Sequence, residues 1–350
     1  MNIQYAVNQL LKRLDSLHAG TLTLVTPDGV SRTFGGRAPG EEVRLELTDW
    51  RVITNFLRRG NIGLAEDYRE GRWETDDLTG LTMLALENRK AMQQMIIGKP
   101  VRRILASLGY MLRLNTLKGS RKNIHAHYDL GNQFYREWLD PSMTYSAAIF
   151  RHEGESLQAA QYNKYDRILD CLGADSGKMM EIGCGWGGLA DRATSRADFD
   201  IKAITLSEEQ YDYARKRLGD RAEVKLEDYR NQSGRFDSIV SIEMFEAVGE
   251  RFWKTYFEKL ASLLNSKGKA VIQTITMNEG DFSSYRKGAD FIRTFIFPGG
   301  MLPSPSRFKE EANKAGLVCS NEYFFGQDYA TTLEHWLKSF DEKREVIQQM

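Results

Sequence analysis

Met179-Met180-Glu181-Ile182-Gly183-Cys184-Gly185-Trp186-Gly187-Gly188 restricts the folds open to this 350-residue chain more than any other stretch. An apolar run of strand type enters four glycines within six positions, and a helical pattern leaves them. Gly183, Gly185 and Gly187 permit a tight turn and let a ligand approach the backbone. Around this turn, strand and helix signals alternate. Strands are expected at Lys178–Ile182, Asp200–Thr205, Ala222–Leu226, Phe236–Ile242 and Ala270–Thr276. Helices are expected between them at Gly188–Arg196, Ser207–Leu218 and Arg251–Leu264. Such alternation builds a mostly parallel sheet with helices on both faces. Its ligand site lies at the carboxyl ends of the strands, near the point where strand order reverses.

Gly183-x-Gly185-x-x-Gly188 also fits a dinucleotide fingerprint, which calls for an acid about 20 residues on to hold the ribose. Ala203-Ile204-Thr205-Leu206-Ser207 carries no acid there. Glu181 stands directly before the glycines instead, and a carboxylate suits a cationic ligand. An acid, an apolar residue and Gly-x-Gly-x-Gly together resemble the first motif of S-adenosylmethionine methyltransferases.

The N-terminal part reads differently. Tyr5, Val7, Leu10, Leu11, Leu14 and Leu17 have helical spacing, and His18-Ala19-Gly20 ends the run. Thr21–Val25 and Val43-Leu45-Leu47 have strand character, Pro27-Asp28-Gly29 is a turn, and residues 50–59 are helical. Residues 1–95 are therefore expected to form a small α+β domain without a catalytic motif. Residues 88–128 hold nine Lys/Arg and no acid, in a chain whose formal net charge is zero. A basic, partly apolar segment suits an anionic membrane surface, at about 1 kcal/mol per basic residue near the interface. The segment 96–120 is accordingly read as a basic amphipathic linker or helix, and core packing plus a solvated linker is the bland alternative.

Zero net charge gives no reason to expect a nucleic-acid partner. Cys171, Cys184 and Cys319 are far apart and odd in number, so a reduced, cytoplasmic chain is expected. No His/Cys cluster suggests a metal. No stretch reaches the roughly 20 apolar residues that span a bilayer.

From residue 121 onward the resemblance narrows. His127-Tyr128-Asp129-Leu130-Gly131-Asn132-Gln133-Phe134-Tyr135, Thr144-Tyr145-Ser146-Ala147-Ala148 and Glu181–Gly188 are joined by Ile204–Gln210, Asp228-Tyr229-Arg230 and Phe236–Glu246. Phe297–Ser304 and Asp328-Tyr329-Ala330 complete the series. In order and spacing these stretches resemble the cyclopropane-fatty-acyl-phospholipid synthases and mycolic acid cyclopropane synthases. The resemblance implies an α/β fold: a Rossmann-like S-adenosylmethionine methyltransferase domain over 121–350, preceded by the α+β domain. It implies that Tyr145, Ser146, Glu181, Gly183, Gly185, Gly187, Thr205, Gln210 and Ile242 line S-adenosylmethionine, with Asp228 and Tyr229 near the adenine. It further implies a reaction centre at Glu246, Tyr329 and Gln273, where the family holds bicarbonate.

The implied substrates are unsaturated phospholipid acyl chains at the inner face of the membrane, reached by peripheral association, and a homodimer stands among the expected assemblies. A π bond attacking the methyl leaves a carbocation, which needs a dry site with electron-rich walls. Tyr285, Phe291, Phe295, Phe297, Tyr323, Phe324, Phe325 and Tyr329 are candidates for those walls, although packing is the simpler role for any single ring. Three departures bear on the product. Ala147 stands where the family often has Cys, Gln273 where it usually has His, and Ala247 where His is more common. Gln cannot accept a proton. A cyclopropane ring is the expected product, with a methyl-branched or methylene product as the competitor. A methyltransferase for a small soluble nucleophile and a non-enzymatic membrane module are the other readings. The resemblance also implies a longer C-terminal end than Met350.

Overall fold

The computed structural model describes residues 3–89 and 130–350. Most of the basic segment 88–128, the linker 96–120 and His127-Tyr128-Asp129 lie outside the described residues. Two compact units emerge, Met1–Leu112 with Lys287–Ile296, and Arg113–Arg286 with Phe297–Met350. Among the described residues no helix is long and apolar enough to cross a membrane.

In the first unit, α1 (Ile3–Leu14) turns Ala6, Val7, Leu10 and Leu14 inward, the spacing of one helical face. The first strands are β1 (Ala19–Val25), β2 (Ser31–Gly35), β3 (Ala38–Leu47) and β4 (Trp73–Glu74), in sheet order β2-β1-β3-β4. β2 runs antiparallel to β1, and β3 returns parallel on β1's other side. That crossing needs Gly36: a Cβ there would meet the Ala19 nitrogen at 2.6 Å. Helices α2 (Arg51–Arg59), α3 (Asn61–Arg69) and α4 (Leu78–Glu87) follow. β2, α3 and α4 carry too weak a period to be read from the sequence.

The second unit holds α5 (Gly131–Trp138), α6 (Leu157–Leu172), β5 (Ser176–Ile182), α7 (Gly188–Arg196), β6 (Asp198–Thr205), α8 (Glu208–Leu218) and β7 (Glu223–Leu226). It continues with β8 (Phe236–Ile242), α9 (Trp253–Leu263), β9 (Leu264–Gln273), α10 (Glu279–Lys287), α11 (Pro305–Lys314), α12 (Gly326–Glu342) and α13 (Arg344–Gln348). Five strands in the order β7-β6-β5-β8-β9 pair in parallel throughout. Order therefore reverses between β5 and β8, which opens a crevice at their carboxyl ends.

Alternation along β5 and β8 sorts side chains to two faces. Met179 and Val240 pack with Leu169 of α6, Leu189 of α7 and Ala214 of α8. Met180, Ile182 and Ile239 pack with Trp253, Tyr256, Phe257 and Leu260 of α9. Each fully buried aliphatic or aromatic side chain contributes about 1.5–3 kcal/mol over its exposed state. The expected α/β sheet with helices on both faces is the observed one. The last strand ends at Gln273 rather than Thr276: the Glu246 carboxylate takes the Ile275 N–H, a ladder donor, and also accepts from the Thr274 hydroxyl.

Candidate active site

The turn after β5 begins where Gly183 and Cys184 both donate to the Ile204 carbonyl at 2.9 Å. Gly183, Gly185 and Gly187 have φ of 80°, 53° and 82°, the left-handed region that costs glycine nothing. At Gly183 a Cβ would lie 2.9 Å from Met244 Cγ. At Gly185 it would meet nothing within 4 Å, so the middle of the turn faces open space.

Glu181 is buried on the α6 side of the sheet, and its Oε2 has no partner among the described residues. Burial pushes its carboxyl up to about 8, against the pull of the Ala190 N–H and Lys164. Lys164 is fully buried in α6 and donates to Ser146 Oγ at 2.6 Å. Burial pulls this lysine down to about 7, with Glu243, Asp140 and Glu181 opposing. The stretch before α6 is stitched to the same turn. Arg217 donates to the carbonyls of Ser142 at 2.8 Å and Trp186 at 3.1 Å, and Trp186 Nε1 donates to Asn132 at 2.6 Å.

After β8 lie two acids. Glu243 holds φ 46°, one of two non-glycine residues with positive φ among the described residues. Its Oε1 accepts from the Ala147 N–H at 2.9 Å and from Gln273 Nε2 at 2.8 Å. Gln273 also donates to the Ala147 carbonyl at 3.2 Å. Glu246 Oε1 accepts from Thr274 Oγ1 at 2.9 Å and from the Ile275 N–H, while its Oε2 is buried without a partner among the described residues. Burial raises both carboxyls, and Glu243 raises Glu246 further by like charge. Tyr329, on α12, is pushed up by burial and by Glu243, Tyr145 and Glu246. Glu246, Gln273 and Tyr329 thus converge around Glu243.

The remaining expected residues are placed less uniformly. Tyr145 packs on Trp336 at 5.2 Å and Trp138 at 5.5 Å. Ser146 is buried, its hydroxyl held by Lys164 and its carbonyl by Gln161. Thr205 donates to Gln210 at 2.8 Å, so each occupies the other. Asp228 is buried but spends its carboxylate on Arg230, at 2.8 and 2.6 Å. Tyr229 packs against Tyr256 in the core. Ile242 is half-buried at the end of β8.

The candidate rings are dispersed. Phe291 and Phe295 group with the first unit, Tyr285 packs against the α9 core, and Tyr323, Phe324 and Phe297 are exposed. Rings beside the site come instead from Tyr135, Trp138, Tyr145, Trp186 and Trp336, with Tyr329 alone from the expected set. Sequence reasoning also passed over Lys164 and Glu243. Helical register brings Lys164 under Ser146. The only local signal at Glu243 is an acid at the exit of an apolar strand.

A parallel sheet with this order reversal and an open glycine turn define a Rossmann-like nucleoside-cofactor fold, and the buried acid before the turn suits the cationic S-adenosylmethionine of a methyltransferase. Residues 115–350 match the family model described as mycolic acid cyclopropane synthetase. A tuberculostearic acid methyltransferase (UfaA1) of Mycobacterium tuberculosis is 37% identical over 305 residues, 83% of this chain and 71% of that one. The cyclopropane-fatty-acyl-phospholipid synthase of Escherichia coli is 33% identical over 309 residues, 88% of this chain and 78% of that one. A solved cyclopropane synthase (MmaA2) from Mycobacterium tuberculosis superposes with a TM-score of 0.61 at 30% identity, covering 65% of this chain and 85% of that one. A mycolic acid cyclopropane synthase (CmaA1) solved with SAH and CTAB does so with a TM-score of 0.61 at 31% identity, over the same shares. The chain belongs to the mycolic acid cyclopropane synthetase family and is an S-adenosylmethionine-dependent enzyme of that type. The residues fit the cofactor: Gly185 leaves room, and Glu181 offers an unpartnered acceptor to a cation.

Proposed function

We propose that this enzyme alkylates the double bond of an unsaturated fatty acyl chain of membrane phospholipid and closes a cyclopropane ring. One observation carries the reading: Glu246 holds a buried, unpartnered carboxylate oxygen beside Tyr329, at the sheet end that also bears the glycine turn. The cofactor supplies an electrophilic methyl on sulfur. Glu181, Gly183, Gly185, Gly187, Ser146, Tyr145, Thr205, Gln210, Ile242, Asp228 and Tyr229 would line its site. The π electrons of the acyl chain would take that methyl, the carbon–sulfur pair staying on sulfur. The positive charge left on the chain falls beside Glu243 and Glu246, two buried carboxyls whose ionised forms it would favour. Preorganised charge of this kind lowers the barrier where charge develops. Rings at Tyr145, Trp336 and Tyr329 exclude the water that would quench the cation. A C–H bond of the new methyl then breaks, its pair closes the ring, and the proton passes to a base.

The relatives named as lipid methyltransferases and cyclopropane synthases support a lipid substrate. The acid-free basic segment 88–128 supports work at an anionic membrane surface. The same cation has a second outcome, a methylene or methyl-branched unsaturated chain formed by loss of a different proton. Ala147 and Gln273, which cannot accept a proton themselves, leave the choice of proton to other groups. Radiolabelled S-adenosylmethionine with vesicles of unsaturated phospholipid should place label in the acyl chains. Unlabelled chains, under conditions where cofactor binds, would refute the lipid reading.

A further inference from the structure

The Ala147 N–H and Gln273 Nε2 converge on one oxygen of Glu243. Two N–H groups aimed at a single point make an anion site. Here the anion belongs to the chain. Glu243 reaches it only by holding a left-handed backbone, φ 46°, which costs a non-glycine residue about 1 kcal/mol. All its hydrogen bonds fall on Oε1, which leaves Oε2 unengaged among the described residues. The position is flanked by Glu246 and Tyr329, and the fully buried Lys164 is close enough to favour its ionised form whenever the lysine is charged.

We infer that the Glu243 carboxylate is the built-in anion of this reaction centre, standing where the family resemblance implies an external bicarbonate, and that it takes the proton released on ring closure. The inference rests on the proposed lipid alkylation. Its chemistry balances: a C–H bond of the transferred methyl breaks, the C–C bond closes with that pair, and an oxygen of Glu243 gains the proton. A Gln at 273 and an Ala at 147 then make sense. The amide fixes the carboxylate by donation, and the small side chain leaves its backbone N–H accessible. Glu243 replaces the proton-accepting function that Gln273 lacks.

The experiment measures label transfer into acyl chains in CO2-free buffer, with and without added bicarbonate. Wild-type turnover should be the same in both. Glu243→Gly vacates the donor pair and suits the positive φ, so the variant should fold and bind cofactor normally. Its turnover in CO2-free buffer should fall by about 100-fold, the lower range for loss of a general base, and bicarbonate should restore it about tenfold. Glu243→Gln keeps the donors occupied, so it should lose turnover without rescue. Wild-type turnover that drops severalfold without bicarbonate overturns the inference. So does a Glu243→Gly enzyme that turns over like wild type in CO2-free buffer. Absence of label in wild-type acyl chains under every condition defeats the lipid reading instead.

Discussion

The turns after β5 and β8 both enter left-handed backbone, by opposite routes. After β5 three glycines do so without strain, and the centre of the turn stays empty of side chains. After β8 a glutamate does so at a cost, and its carboxylate is pinned by two donors. The first turn is shaped to make room, and the second to hold charge at one point. Cofactor affinity should therefore depend on space at the first turn, and turnover on charge at the second.

The largest break in that division should come from Glu246→Gln. The amide oxygen can still accept from Thr274 and Ile275, so the fold persists. The variant cannot ionise beside the developing cation, as the buried carboxyl of Glu246 can. Turnover should fall about 10²–10³-fold, the usual loss for one transition-state contact, while calorimetric cofactor affinity stays the same. Retained turnover would remove Glu246 from the chemistry.

Glu181 gives a smaller effect with a clear sign. Burial holds its carboxyl up to about 8, so at pH 7 it is mostly protonated. A cationic ligand favours the ionised form, and binding should expel a proton. Affinity should rise with pH, by at most about tenfold per unit, and level off above pH 8. Calorimetry near pH 7 in buffers of different ionisation enthalpy should detect the released proton. Glu181→Gln should abolish both the release and the slope.

Gly185→Ala should act most weakly and most selectively. The new Cβ meets no protein atom, so stability should change by only about 1 kcal/mol from the positive φ. It intrudes on the open space, so cofactor affinity should fall severalfold. A large drop in melting temperature, with affinity intact, would mean that the turn is structural only.

How far the sequence could be read follows the same contrast. The five parallel strands and the glycine turn were legible because apolar runs and glycines are local signals. The first unit's β2, α3 and α4 were not, since tertiary packing rather than periodicity holds them. Glu246, Tyr329 and Gln273 were singled out through family spacing, and the fold brings them together. Glu243 was quoted inside a motif yet given no role, because an acid leaving a strand reads as solvated. Only its backbone angle and its bonds to Ala147 and Gln273, 96 and 30 positions away, set it apart. Lys164 was hidden because nothing in a helix sequence announces that a lysine will be fully buried. The rings beside the site were only partly legible: Tyr329 lies in the ring-rich last third, but Tyr135, Trp138, Tyr145 and Trp186 come from earlier in the chain, since ring density along a sequence does not report which rings share a face.

Ring closure through loss of a methyl proton is most directly tested with a trideuteromethyl cofactor and unsaturated phospholipid vesicles. Mass spectrometry should find acyl chains that retain two deuteriums of the three, and NMR should show the high-field signals of a cyclopropane. Chains that keep all three deuteriums, or two on an exocyclic methylene, would contradict it.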